Sequence, residues 1–217
     1  MENPLADYWK VKLEETSQAL KKNNFETHMV DSAEAAARLA LEKIIPPLSP
    51  QSVSWGGSLT FTNSGLYESL RDRTDLTVLD TFDKSLPREE SLERRRQALL
   101  TDLFVTGTNA ITASGKLVNL DMIGNRVAAL AYGPKHVLIL AGRNKIVPDV
   151  DAAVTRIKDY AAPVNTRRLD KKTPCVKTAA CQDCSSPDRI CNTWVITEKS
   201  FPPGRLKIIL INQDLGF

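Results

Sequence analysis

The 217-residue sequence is short of several features that would point straight to a function. Histidine occurs only twice, His28 inside one strand-like run and His136 at the start of another, far apart in the chain. Both therefore read as structural residues rather than ligands or bases. There is no GxSxG elbow and no HExxH, which leaves serine-hydrolase and zincin chemistry unsupported. No run approaches the ~18 apolar residues of a membrane helix. The opening MENPLADYWK has an acidic residue and a proline where a signal peptide is basic and then apolar, so the expected location is cytoplasmic, without membrane insertion. A strong charge of either sign is missing too. Lys+Arg number 29 and Asp+Glu 26, a net charge of +3 that gives no reason to expect nucleic acid. Cysteine is absent from the first 174 residues, and all four, Cys175, Cys181, Cys184 and Cys191, crowd into one short segment. A disulfide framework spreads its cysteines to staple distant parts of a fold, so this clustering indicates one local site.

What is present suits a globular α/β protein. Hydrophobic residues make up 42% and charged residues 25%, enough for a core and a solvated surface. Helical periodicity is read at 4–23, 33–45, 64–70, 88–100, 125–131 and 149–162. Pro46-Pro47 and Pro163 are expected to end the second and last of these. Strand patterns fall at 25–30, 52–55, 76–79, 103–107, 136–142 and 206–212, and KLVNLD reads as the second arm of a short hairpin. Alternating strands and helices predict an α/β fold with a mainly parallel sheet. One domain, 1–217, is expected, with residues 206–212 rejoining the main sheet after a cysteine-bearing segment at 173–193. That segment reads as an inserted loop whose order depends on what it binds. The triple arginine Arg94–Arg96 reads as a solvated helix face rather than an anion patch, and NTRRLDKK as a solvated linker.

Four stretches carry groups able to do chemistry. Trp55-Gly56-Gly57-Ser58-Leu59-Thr60 follows a strand. Its glycines permit close backbone approach, and its amides with the Ser58 and Thr60 hydroxyls suit a phosphate or carboxylate. Residues 106–128 are dense in polar groups, with Thr108, Asn109, Thr112, Asn119, Asp121, Asn125 and Arg126 between apolar anchors. Asp121 is the best carboxylate for general acid–base work, and Arg126 either pairs with it or binds an anion. Spacing alone fits a structural Asp–Arg pair equally well. Lys145 comes just after the HVLILAG strand, a position that suits anion contact or an ordinary surface lysine. The spacing Cys-x5-Cys-x2-Cys-x6-Cys is a metal signature: thiolates suit iron–sulfur clusters and zinc. Structural zinc usually shows two close pairs and here there is one, so the irregular spacing fits a 4Fe-4S cluster better than zinc.

These residues together resemble a known family. WGGSLTFTNSGLYESL, TGTNAITASGKLVNLDMIGNRVAAL, GPKHVLILAGRNKIV and the cysteine segment are similar to the LUD (lactate-utilisation) domain family, LutC-like proteins included, in a cysteine-bearing short form. The resemblance spans about residues 4–217. It implies a Rossmann-like fold of the NagB/RpiA/CoA-transferase superfamily, whose members bind phosphosugars or CoA esters at loops after the strands. By that likeness the site uses Gly56, Gly57, Ser58, the stretch Thr108 to Thr112, Asn119, Asp121, Asn125 and Lys145. The function expected is organic-acid or lactate utilisation, with an iron–sulfur cluster on the four cysteines, an anionic small molecule in the strand-end loops, and redox proteins of a lactate-oxidising system as partners. Two alternatives stand beside it: a sugar-phosphate or CoA-ester enzyme with structural zinc, and a non-catalytic subunit of a redox complex. The sequence leaves enzymatic activity and the oligomeric state open, a homodimer included.

Overall fold

The computed structural model describes residues 3–217. Ten strands are defined in chain order: β1 Glu26–Val30, β2 Ser52–Trp55, β3 Thr77–Leu79, β4 Leu103–Gly107, β5 Ala110–Thr112, β6 Leu117–Asp121, β7 His136–Gly142, β8 Ile146–Val147, β9 Thr193–Thr197 and β10 Leu206–Ile211. Six form a sheet in the order β1-β10-β7-β4-β2-β3, with every neighbouring pair parallel. The chain's last strand is thus inserted between its first and seventh. A parallel sheet is covered on both faces, and its central strands are apolar on both. Alternate residues accordingly divide between two cores. Val105, Leu138, Leu140, Ile209 and Ile211 pack with Trp55 and Phe61 on one face. Phe104, Val137, Ile139, Ile208 and Leu210 pack with Leu13 and Leu20 of the Pro4–Lys22 helix on the other.

A second sheet, in the order β8-β5-β6-β9, grows from the end of β4. The hairpin β5–β6 is the one read from the sequence, and β9 adds antiparallel to β6 along its whole length. The sequence reading has neither β9 nor a second sheet. Thr193–Thr197 shows no alternation in burial, although Thr, Trp, Val and Ile all favour strands, and pairing with β6 fixes it as one.

Both proline stops are in fact helix interiors. The Ala33–Leu39 helix passes through a π turn, Ala40–Ile44, into Ile45–Leu48, which contains Pro46 and Pro47. Val150–Arg156 passes through a π turn, Ile157–Ala161, into Ala162–Arg168, which contains Pro163. In each, the last residue before the proline donates five positions back: Ile45 N–H to the Ala40 carbonyl, Ala162 N–H to the Ile157 carbonyl. The wider turn relaxes the i−4 pairing that a proline cannot make and the ring clash that accompanies it. The NTRRLDKK stretch is consequently half helix, not linker. The helix read at 88–100 is α-helical over Arg88–Gln97 and buries no residue, so it is not amphipathic toward the core; Ala98 in the following turn is its buried anchor. A further short helix, Leu59–Asn63, begins directly after Ser58.

Candidate functional site

Parallel strands bring their C-terminal ends to one edge, so loops far apart in sequence meet there. β2, β4 and β7 end at Trp55, Gly107 and Gly142. The residues that follow, Gly57 and Ser58, Thr108 and Asn109, and Lys145, line one cleft of about 840 Å³. Asp121, Asn125 and Arg126 line it as well, at the end of β6 and the start of the Asn125–Ala131 helix.

Other residues singled out in the sequence stand behind this surface. Gly56 is tight packing rather than ligand approach: a Cβ there would lie 3.0 Å from Arg126 Cγ and from the Phe104 ring. Thr112 holds the hairpin turn, its hydroxyl bonded to Ser114 Oγ at 3.0 Å and accepting from Lys116 N–H at 3.0 Å. Asn119 is fully buried, and its Oδ1 accepts from Thr108 Oγ1, Asn109 N–H and Arg126 Nη1. Ser58 Oγ accepts from Phe61 N–H at 3.2 Å as the cap of Leu59–Asn63.

The Asp121–Arg126 pair is the hub of the loop. Arg126 Nη2 lies 2.7 Å from Asp121 Oδ1, and both side chains are under a tenth exposed. Asp121 Oδ2 accepts from the backbone N–H groups of Arg126 and Val127 at 3.0 and 3.1 Å. The guanidinium also donates to the Gly107 and Leu120 carbonyls and to Asn109 and Asn119 Oδ1. Buried charges need this density of partners, and the pair's donors and acceptors are engaged in holding β4, β6 and the Asn125–Ala131 helix together.

Lys145 is different. It is 4% exposed, makes no ion pair among the described residues, and donates only to Thr60 Oγ1 at 2.9 Å. Thr60 Oγ1 in turn donates to the Leu215 carbonyl at 3.1 Å. The segment around Leu215–Gly216 packs over this pair: a Cβ on Gly216 would approach Thr60 Oγ1 to 2.8 Å and Lys145 Nζ to 3.4 Å. Burial, with the like charges of Arg156 and Arg126, pulls the ammonium down to about 7. A lysine so placed holds an anion when protonated and takes a proton when neutral.

The four cysteines converge. All four thiols are free and half-buried, and they line one small cavity of about 20 Å³ with Thr166, Thr173 and Arg189. No group of three or more His, Cys, Asp or Glu side chains is already drawn into metal-holding geometry among the described residues. The surroundings nonetheless suit thiolates. Asp183 N–H donates to Cys181 Sγ at 3.3 Å, and the Thr173 and Thr166 hydroxyls lie 3.1 and 3.5 Å from Cys175 Sγ. Arg189 ties the loop by donating to the Cys184 and Cys191 carbonyls. Burial, and next the neighbouring Cys181, push the Cys191 thiol up to about 11. A soft cation reverses that balance, because it stabilises the thiolates that otherwise repel one another. Ala162, Ile190 and Cys191 line both this cavity and the cleft, so the two share a wall.

Several cleft residues carry no signal that the sequence reading used. Arg95 faces the cleft while its neighbours pair elsewhere, Arg94 with Asp83 and Arg96 with Glu93. The triple arginine is therefore not one uniform solvated face. Arg88, Arg168 and Lys171 also line the cleft. The i, i+7 spacing of Arg88 and Arg95 was the available clue.

The fold and these two adjoining sites define a Rossmann-like α/β protein with a strand-end cleft and a local cysteine centre. The LUD domain family model matches residues 13–211, and the chain belongs to that family. Among solved structures it is similar to a DUF162 family protein from Deinococcus radiodurans, at 16% identity and TM-score 0.48, covering 94% of this chain and 98% of that one. It is also similar to ribose 5-phosphate isomerase from Plasmodium falciparum (15% identity, TM-score 0.33, covering 54% and 52%) and ribose 5-phosphate isomerase A from Neisseria gonorrhoeae (16%, 0.35, 64% and 62%). No curated protein matches the chain. No helix among the described residues is long and apolar enough to cross a membrane.

Proposed function

We propose that this protein binds an anionic small molecule of the organic-acid type in the strand-end cleft, beside a metal centre held by Cys175, Cys181, Cys184 and Cys191, and that it serves lactate or related organic-acid utilisation. The observation that carries the reading is Lys145, a buried amine with no ion-pair partner among the described residues, in a cleft that shares a wall with a four-cysteine cavity. An uncompensated buried cation is costly unless a ligand supplies the anion. Protonated Lys145 pairs with a carboxylate, and that counter-charge favours the ammonium that burial otherwise disfavours. Thr60 fixes the direction of Nζ. Asp121 acts through Arg126, holding the loop that carries Thr108 and Asn109 against the cleft, so the acid–base role rests on Lys145.

An iron–sulfur cluster, favoured by the cysteine spacing, would supply one-electron chemistry next to the bound acid. A cavity of about 20 Å³ has room for one water-sized body, and this favours a single zinc ion as the second reading. Anaerobic purification followed by an absorbance spectrum and iron, sulfide and zinc analysis separates them. Matched iron and sulfide, lost in Cys184→Ser, is the expected result; zinc alone makes the segment scaffold. Metal-free protein, together with equal lactate binding by wild type and Lys145→Met in calorimetry, would refute the reading.

A further inference from the structure

The cleft is much larger than a small hydroxy acid needs. About 840 Å³ is in the range of sites that enclose drug-sized ligands, whereas lactate has a handful of heavy atoms. The distribution of charge shows where the rest of a ligand would lie. Six cationic and two acidic side chains line the cleft, and both acids are committed: Asp121 to Arg126, and Asp188 to Lys171 at 3.8 Å. Lys145 remains at the buried floor, and Arg88, Arg95 and Arg168 remain toward the exposed rim.

The rim cations belong to two helices that both wall the cleft. Along Arg88–Gln97, the residues on the cleft are Arg88, Ser91, Leu92 and Arg95, one helical face at i, i+3, i+4 and i+7. Glu89, Glu90 and Glu93 of the same helix are not on it. The two arginines stand about 10 Å apart along the axis. Ala162–Arg168 contributes Arg168. None of the three makes an ion pair among the described residues: Arg95 donates to the Ser91 and Thr81 carbonyls, and Arg168 to Asn165 Oδ1. The lining also includes Leu59, Phe82, Leu92 and Ile157, apolar surface for the uncharged part of a ligand.

We infer that the cleft takes an elongated ligand with anionic groups at both ends, one held by Lys145 at the floor and the other by Arg88, Arg95 and Arg168 at the rim. This rests on the reading of the cleft as an anion site and fixes the class of molecule that fills it. The substrate is then a bis-anion such as a phosphorylated acid or a bisphosphate, and a bare hydroxy acid occupies the floor alone.

Calorimetry with three probes tests this at constant ionic strength: inorganic phosphate, pyrophosphate with its charges close together, and fructose 1,6-bisphosphate with them at opposite ends. The bisphosphate is expected to bind at least about tenfold more tightly than either of the others, since each charge-assisted contact adds to the affinity. Arg88→Ala/Arg95→Ala should erase that advantage and leave inorganic phosphate unchanged. The helix they sit on buries no residue, so the double variant keeps the core intact. Lys145→Met should weaken all three. Equal affinities for the three probes, or a bisphosphate advantage that survives the double substitution, overturns the two-ended ligand while leaving the anion site standing. If none of the phosphate probes binds the wild type while lactate does, the two-ended ligand falls and the organic-acid site stands; if lactate fails to bind as well, both readings fall.

Discussion

Lys145 is the residue on which the proposed function turns, and its environment has a thermodynamic consequence. Its folded value is about 7, against 10.5 for an ordinary lysine. Between these values the unfolded chain binds the extra proton, so stability rises with pH across that interval. The penalty is present in full below pH about 7 and fades as the pH climbs toward the unfolded value. Lys145→Met is therefore expected to raise the melting temperature at pH 6, with the gain shrinking by pH 10. A melting temperature that responds equally at both pH values would place the ammonium in water. The floor of the cleft was partly legible at this scale. Lys145 and Thr60 each stood out in the sequence, but their meeting and the Leu215–Gly216 cover did not, because Thr60 lies 85 residues from Lys145 and Leu215 lies 71 residues from Asn144, whose side chain it bonds. Asp121 shows the converse. Its spacing from Arg126 allowed either catalysis or structure, and only the three donor groups around it, two from Arg126 and one from Val127, give its structural role.

At the scale of elements, the β5–β6 hairpin depends on how its turn meets the Pro4–Lys22 helix. Gly115 sits at φ +77°, and a Cβ there would come within 2.6 Å of the Ala19 backbone. Asn23 Nδ2 donates to the Ser114 and Gly115 carbonyls at 2.9 Å, fastening the same turn. Gly115→Ala is expected to destabilise by about 1–3 kcal/mol in denaturant unfolding, combining the strained backbone with a clash against main chain that cannot rotate away. A change within about 0.5 kcal/mol would mean that the turn is free to lift off the helix. Hairpin, caps and buried strands were readable because each depends on neighbours a few residues away. The helices containing Pro46, Pro47 and Pro163 were misread for the same reason. A π turn is favoured by how a whole helix packs, and no local pattern announces it.

For the whole molecule, the wall shared by the cysteine cavity and the cleft gives the two sites common residues through which they can couple. Pro187, Asp188, Ile190 and Cys191 belong to the cysteine segment and also line the cleft. Whatever orders that segment shapes the ligand site, and coupling of this kind is reciprocal. If the four cysteines hold the proposed metal, its removal by chelation is expected to weaken phosphate binding by about five- to tenfold, and saturating phosphate to slow metal loss. Unchanged phosphate affinity in the metal-free protein would show that the wall holds its shape without metal.

The sequence by itself determined the class of fold, the parallel character of the main sheet, most helix and strand positions, and the gathering of four cysteines into one segment. These follow from local periodicity, capping and spacing. Tertiary structure alone decided the rest. It inserted β10 between β1 and β7, added β9 to a second sheet, closed the four cysteines around one cavity, and brought Arg88, Arg95 and Arg168 to the cleft that holds Lys145. The physical reason is that strand order and cleft lining are set by which buried surfaces fit together across the chain. That fit depends on pairs of residues distant in sequence, and no window of the sequence contains both partners.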